Sequence, residues 1–180
     1  MRQIELQVPL RVYSRDGKLI AQIGEQRRIP VTYDEVPEMV RQAFIAAEDA
    51  NFYQHDGVDY AGILRAVGRN AMEGRMAQGG STITQQVVKN VFLWHGRNYT
   101  RKAAEALLTP MVELFWSKRR ILEVYLNVAE FDEGVFGVKA AAARYFAAEP
   151  GALTSVQAAR LAAVLPDPKD RSAAQPSNFV

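Results

Sequence analysis

The stretch VPEMVRQAFIAAEDANFYQHDG, residues 36–57, decides the fold. Val40, Phe44 and Glu48 recur at i, i+4 and i+8, so they share one stripe of a helix, with Ile45 beside it. Glu48 therefore continues a buried face instead of pointing to water. Burial without a cation raises a carboxyl pKa, which suits a group that must accept or hand over a proton. A structural Glu that pairs with an Arg or caps a neighbouring helix fits the stripe equally well. Beyond it, Gly57 ends the element and His55 reads as a satisfied loop histidine. Phe52 and Tyr53 read as core in preference to a ligand platform.

Outward from that helix the period changes. Residues 10–31, LRVYSRDGKLIAQIGEQRRIPV, alternate apolar and polar around Asp16-Gly17, a hairpin signal. After Pro30 and Pro37 the spacing predicts helices near 35–49, 59–74, 82–93, 100–116, 117–128, 134–147 and 154–165. No repeat of 20–50 residues is visible. The expected architecture is a single mainly α domain over 1–180: a β-hairpin at 10–31, a helical core at 32–168 and a loose tail at 169–180.

Composition narrows the function. With 180 residues, 48% apolar and 23% charged, the chain has the material for one ordered, globular core. A net charge of +2 makes it no polycation, and nucleic acid is not called for. The positives cluster at Arg97, Arg101 and Lys102, then at Lys118, Arg119 and Arg120. Without cysteine there is no disulfide, thiolate metal site or Cys nucleophile, and two histidines, His55 and His95, argue against a histidine-rich metal site. No apolar run approaches the roughly 20 residues of a membrane span, and MRQIELQVPL has no signal-peptide core. The expectation is a chain without its membrane anchor.

A second constellation is GGSTITQQVVKN, residues 79–90. Gly79-Gly80 allow unusual backbone shapes, and Thr82-x-x-Gln85 fits a capping box that starts a helix. That is a sufficient structural explanation; the functional one is an anion or sugar site at free helix N–H groups. Gln86 and Lys89, one turn apart, project donors in one direction. In RKAAE, residues 101–105, Arg101 and Glu105 form either a surface ion pair or the start of a buried carboxylate, since Glu105 runs on into Leu108 and Val112. Pro110 is expected to kink this helix. In VFLWHGR, residues 91–97, Phe92 and Trp94 between Lys89 and Arg97 read either as core or as an interfacial contact with anionic lipid.

Taken together, EDANFYQHDG, GGSTITQQVVKN, RKAAE and KRRILEVYLN resemble, in order, the signature motifs of family 51 glycosyltransferases, the peptidoglycan transglycosylases. The likeness covers about residues 10–168. The hairpin region is similar to bifunctional class A penicillin-binding proteins, whereas the stretch from NVFLWHGR to AAAARYF resembles monofunctional biosynthetic transglycosylases. No Ser-x-x-Lys is present, so no transpeptidase domain is expected.

The resemblance implies a lysozyme-like, two-lobed helical fold with a long cleft. It implies lipid II and the growing glycan strand as partners, undecaprenyl pyrophosphate as leaving group, and a periplasmic location at the inner membrane surface. Moenomycin-type inhibitors and other cell-wall synthesis proteins join the expected partners. On the matching positions, Glu48 is the general base and Glu105 the second Glu, organising cations or a divalent ion. No cofactor is obligatory; Mg or Mn is an optional assistant at the pyrophosphate. Lys89, Arg101 and Lys102 hold the pyrophosphate, with Ser81, Thr82, Gln86 and Asn90 alongside. Asp49, Phe52 and His55 shape the turn after Glu48. KRRILEVYLN is scaffold, with Lys118 and Arg119 at the surface. Relatives often carry a Lys near the segment LPDPKD, where this chain has Asp167. The rivals are a lysozyme-like hydrolase or lytic transglycosylase, and a non-catalytic wall- or membrane-binding module.

Overall fold

Residues Leu10–Tyr13 (β1) and Leu19–Ile23 (β2) pair antiparallel, Leu10 opposite Ile23, with the register slipping between Val12 and Tyr13. The expected hairpin thus forms, but it ends at Ile23. Arg27–Arg28 (β3) leave it for another sheet, pairing in parallel with Val135–Phe136 (β5), which in turn pairs antiparallel with Glu130–Asp132 (β4). These pairings come from a computed structural model that describes residues 10–13, 16, 19–23, 27–73, 80–94, 96, 98–166, 168 and 171–173.

After a 3-10 turn at Tyr33–Glu35 come seven helices among the described residues: Glu38–Glu48 (α1), Tyr60–Glu73 (α2), Ile83–Phe92 (α3), Tyr99–Phe115 (α4), Lys118–Val128 (α5), Val138–Phe146 (α6) and Ser155–Val164 (α7). The expected helix from 134 is the main error of boundary. Gly134, at φ 71°, turns β4 into β5, and Gly137, at φ 85°, precedes the true start at Val138. A side chain on Gly137 would come within 3.0 Å of the Asn127 carbonyl oxygen.

Helix starts follow local chemistry. Thr82, Asn98, Ser117 and Thr154 each accept the backbone N–H three residues on, worth about 1 kcal/mol apiece. α4 runs on through Pro110, whose missing N–H leaves the Ala106 carbonyl without its helical donor.

α1 packs against α7, and α3 against both α4 and α5. Val40 and Phe44 from α1, Ile83 and Val87 from α3, Ile121 from α5 and Leu161 from α7 are all fully buried in one core. Phe44 meets Phe131 edge to face, ring centres 5.7 Å apart. Asn127 pins the chain entering α1: its Oδ1 accepts the Val31 N–H and its Nδ2 donates to the Val31 carbonyl, both at 2.8 Å. The tail expected to be loose is docked at 171–173. Ala173 is fully buried, and Arg171 Nη1 donates to the Ala163 carbonyl at 3.1 Å. A lone alanine carries no periodic signal, yet it fills core space. The other tail residues lie outside the described set.

Candidate active site

Glu48 is the last residue of α1, and its stripe places it over Phe44 and Val40. It is half-buried, and Gln86 Nε2, reaching across from α3, donates to its Oε2 at 2.7 Å. Desolvation raises the carboxyl's pKa above the usual range; the Gln86 bond, Lys89 and Arg171 pull it down, while Asp49 pushes it further up. Gln86, expected as a ligand donor, holds this carboxylate with its side-chain amide.

The turn after Glu48 is latched to α3. Asp49 is buried; its Oδ1 lies 2.9 Å from His55 Nε2 and its Oδ2 accepts the Ile83 N–H at 3.0 Å. His55 Nδ1 accepts the Gly57 N–H at 3.1 Å, so the ring's proton sits on Nε2 and points at Asp49. Gly57, at φ 94°, brings its carbonyl to the Thr82 hydroxyl, which donates to it at 2.5 Å. A side chain there would lie 2.6 Å from Thr109 Cγ2. The capping box is present: Thr82 Oγ1 accepts the Gln85 N–H and Gln85 Oε1 accepts the Thr82 N–H.

This corrects the idea of an open anion site at the N-terminus of α3. The anion there is Asp49, drawn by the helix dipole and an unpaired N–H. Gly80 keeps an ordinary backbone, and Gly79 lies outside the described residues. Thr82, Asp49 and Phe52 are buried and position the site instead of lining it. Tyr53, read as core, is half-exposed.

The cations gather beside Glu105. That carboxylate is buried on α4, bonded by Lys102 Nζ and 3.6 Å from Arg101 Nη1. Its pairing is an interior one, where the i,i+4 spacing also allowed a surface bridge. Arg101 Nε donates to the Gly96 carbonyl at 2.5 Å, but its buried Nη1 has no hydrogen-bond partner among the described residues. Lys102 Nζ also reaches Ser81 Oγ at 3.5 Å. Lys89 keeps contact with solvent, yet the protein around its ammonium desolvates it and lowers its pKa, with Glu105 and Glu48 both acting to raise it. Arg101 and Lys102 thus pair with Glu105, while Lys89 feels both carboxylates. Asn90, next to Lys89 on α3, is exposed.

Three residues escaped the sequence reading. Lys118 is no surface lysine: Nζ donates to the His55 carbonyl at 2.6 Å and to Glu113 at 2.7 Å, 4.6 Å above the Phe52 ring. Arg171 acts on Glu48 from beyond α7, with no local signal to foretell it. Tyr125, within the stretch read only as scaffold, is fully buried on α5. Phe92 and Trp94 are half-exposed, with Phe92 tilted against Trp116 at 5.8 Å. His95, Arg97 and Asp167 lie outside the described residues.

Among the described residues no three acidic or histidine groups converge, and Glu105 is already matched by Lys102 and Arg101. This donor set does not fit a divalent ion held by protein alone.

A family model described as Transglycosylase matches residues 16–179. A biosynthetic peptidoglycan transglycosylase of Jannaschia sp. (strain CCS1) is 48% identical over 173 residues, 96% of this chain and 70% of that one. One from Aromatoleum aromaticum (strain DSM 19018 / LMG 30748 / EbN1) is 51% identical over 145 residues, 81% of this chain and 63% of its own length. The chain thus spans about two thirds of the length of these relatives. The crystal structure of penicillin-binding protein 1A from Haemophilus influenzae aligns with a TM-score of 0.46 at 27% identity, over 93% of this chain and 15% of that one.

Proposed function

Since this chain belongs to the transglycosylase family, we propose that it polymerises lipid II into β-1,4-linked GlcNAc–MurNAc glycan and releases undecaprenyl pyrophosphate. The observation that carries the reading is a half-buried, hydrogen-bonded carboxylate at Glu48 whose charge acts on Lys89, a lysine that also feels Glu105 and its partners Arg101 and Lys102. Glu48 takes the proton of the acceptor GlcNAc 4-hydroxyl as that oxygen attacks C1 of the donor MurNAc. The new C1–O bond forms on the face opposite the pyrophosphate, so an α-linked donor gives a β-linked product. The electron pair of the breaking bond goes to a phosphate oxygen. General-base help of this kind contributes roughly a hundred- to ten-thousand-fold.

Charge developing on the pyrophosphate calls for fixed donors. Arg101 Nη1, buried and without a hydrogen-bond partner among the described residues, and the Lys89 ammonium supply them. Glu105 keeps Arg101 and Lys102 in place. A divalent ion is an optional assistant in this reading, held by the phosphates of the substrate itself, so polymerisation is expected to continue in EDTA. Inhibitors of the moenomycin type are expected to compete with the donor for this site.

The reading places the domain at the outer face of the inner membrane. No helix among the described residues is long and apolar enough to cross a bilayer. Support for a surface contact comes from exposed apolar side chains: Trp94, and Leu107, Met111, Leu114 and Phe115 along one side of α4.

A lysozyme-like hydrolase would also use carboxylates, but cutting neutral sugar bonds needs no cation cluster. Lipid II and finished glycan, each incubated with the protein, separate the two: chain growth from the first supports polymerisation, solubilised fragments from the second support cleavage. Folded Glu48→Gln that still lengthened glycan chains would overturn the general-base assignment.

A further inference from the structure

The hydroxyl of Tyr125 has no part in that mechanism. Its ring sits fully buried on the inner face of α5, which packs against the helix that carries Gln86 and Lys89. Among the described residues its Oη has no hydrogen-bond partner. Leaving a buried hydroxyl unmade is costly, and phenylalanine would fill the same space without that cost. Burial above all, then the charge of Glu48 and that of Asp49, holds its pKa well above the ordinary value. The phenol is therefore a neutral donor under the influence of two negative charges.

Of these anions Asp49 is fully engaged, one oxygen with His55 and the other with the Ile83 N–H. Glu48 uses Oε2 for Gln86, and among the described residues its Oε1 accepts no hydrogen bond. We propose that Tyr125 is a positioning residue for the general base, its hydroxyl donating to the Glu48 carboxylate across one buried water. The inference rests on the reading of Glu48 as the base. With Gln86 on one oxygen and Tyr125 serving the carboxylate from the core, the group is held at two points, and the ionised form gains a donor that partly offsets its desolvation. The other groups that face this charge are Lys89 from α3 and Arg171 from the segment after α7, which favour ionisation, and Asp49, which opposes it.

The test is Tyr125→Phe in the full chain, assayed with lipid II over a range of pH. Loss of one donor to a charged group lowers kcat about tenfold with KM within about twofold. The acidic limb of the kcat profile moves to higher pH, while the melting temperature stays level or rises. A wild-type kcat and an unmoved limb overturn the inference. Val128→Ala loosens the same helix without removing a donor and leaves the limb in place; if it moves the limb as Tyr125→Phe does, the effect is packing and the inference falls. Glu48→Gln in the same assay separates the two levels. An active Glu48→Gln sinks the base itself, whereas an inactive one beside a wild-type-like Tyr125→Phe sinks only the role of Tyr125.

Discussion

Gln86 Nε2 donates to Glu48 Oε2 at 2.7 Å, joining the end of α1 to α3 across 38 positions of sequence. The base and its donor thus belong to different helices, and their geometry depends on how those helices are tied.

Gln86→Ala removes a bond that favours the ionised carboxylate. The Glu48 pKa then rises further, and the acidic limb of kcat/KM shifts to higher pH. Rates on the alkaline side fall less than rates on the acidic side. A pH profile of the variant that overlays the wild type speaks against this role for Gln86.

Burial raises the Glu48 pKa in the folded chain, so the native state holds that proton more tightly than the unfolded one. Native stability therefore grows as pH falls through the folded pKa, and ionisation opposes folding above it. At about pH 7, where the carboxylate is charged, Glu48→Gln is expected to melt higher than wild type, with the gap narrowing toward about pH 4. Thermal melts at the two pH values check this, and a lower melting point at neutral pH would refute it.

Asp49→Ala strands the Ile83 N–H and leaves the His55 Nε2–H without its acceptor. The loss is about 2–4 kcal/mol, from two unmet donors and the missing anion at the head of α3. Asn at this position restores part of it. Urea unfolding midpoints measure the difference, and equal midpoints for wild type and Asp49→Ala would contradict the latch.

Gly57→Ala forces a side chain into a left-handed backbone and against Thr109 Cγ2. A destabilisation of about 1–3 kcal/mol is expected, again read from unfolding midpoints. Because Gly57 accepts from Thr82 and donates to His55, activity should fall with it.

What the sequence made legible was local. The stripe from Val40 to Glu48, the Thr82–Gln85 cap and the burial of Glu105 are all written within a few turns of helix. Family motifs added the names of the site residues but not their contacts. Asp49 reaches Ile83 across 34 positions and Lys118 reaches His55 across 63, and no local period encodes such meetings. The small sheet failed for a related reason: Val135 and Val138 suit a strand or a helix, and only the glycines at 134 and 137 distinguish them. Tyr125 sits on the apolar face of α5, and no local pattern tells that its hydroxyl would be buried without a hydrogen-bond partner among the described residues.

Ala173, sunk in the core beyond α7, has a practical bearing on where the domain can be cut. Trimming the gene after the last helix would excise a plug from the interior and, with Arg171, one of the positive charges bearing on Glu48. A shortened version for crystallisation or inhibitor screening has to retain the chain through that alanine.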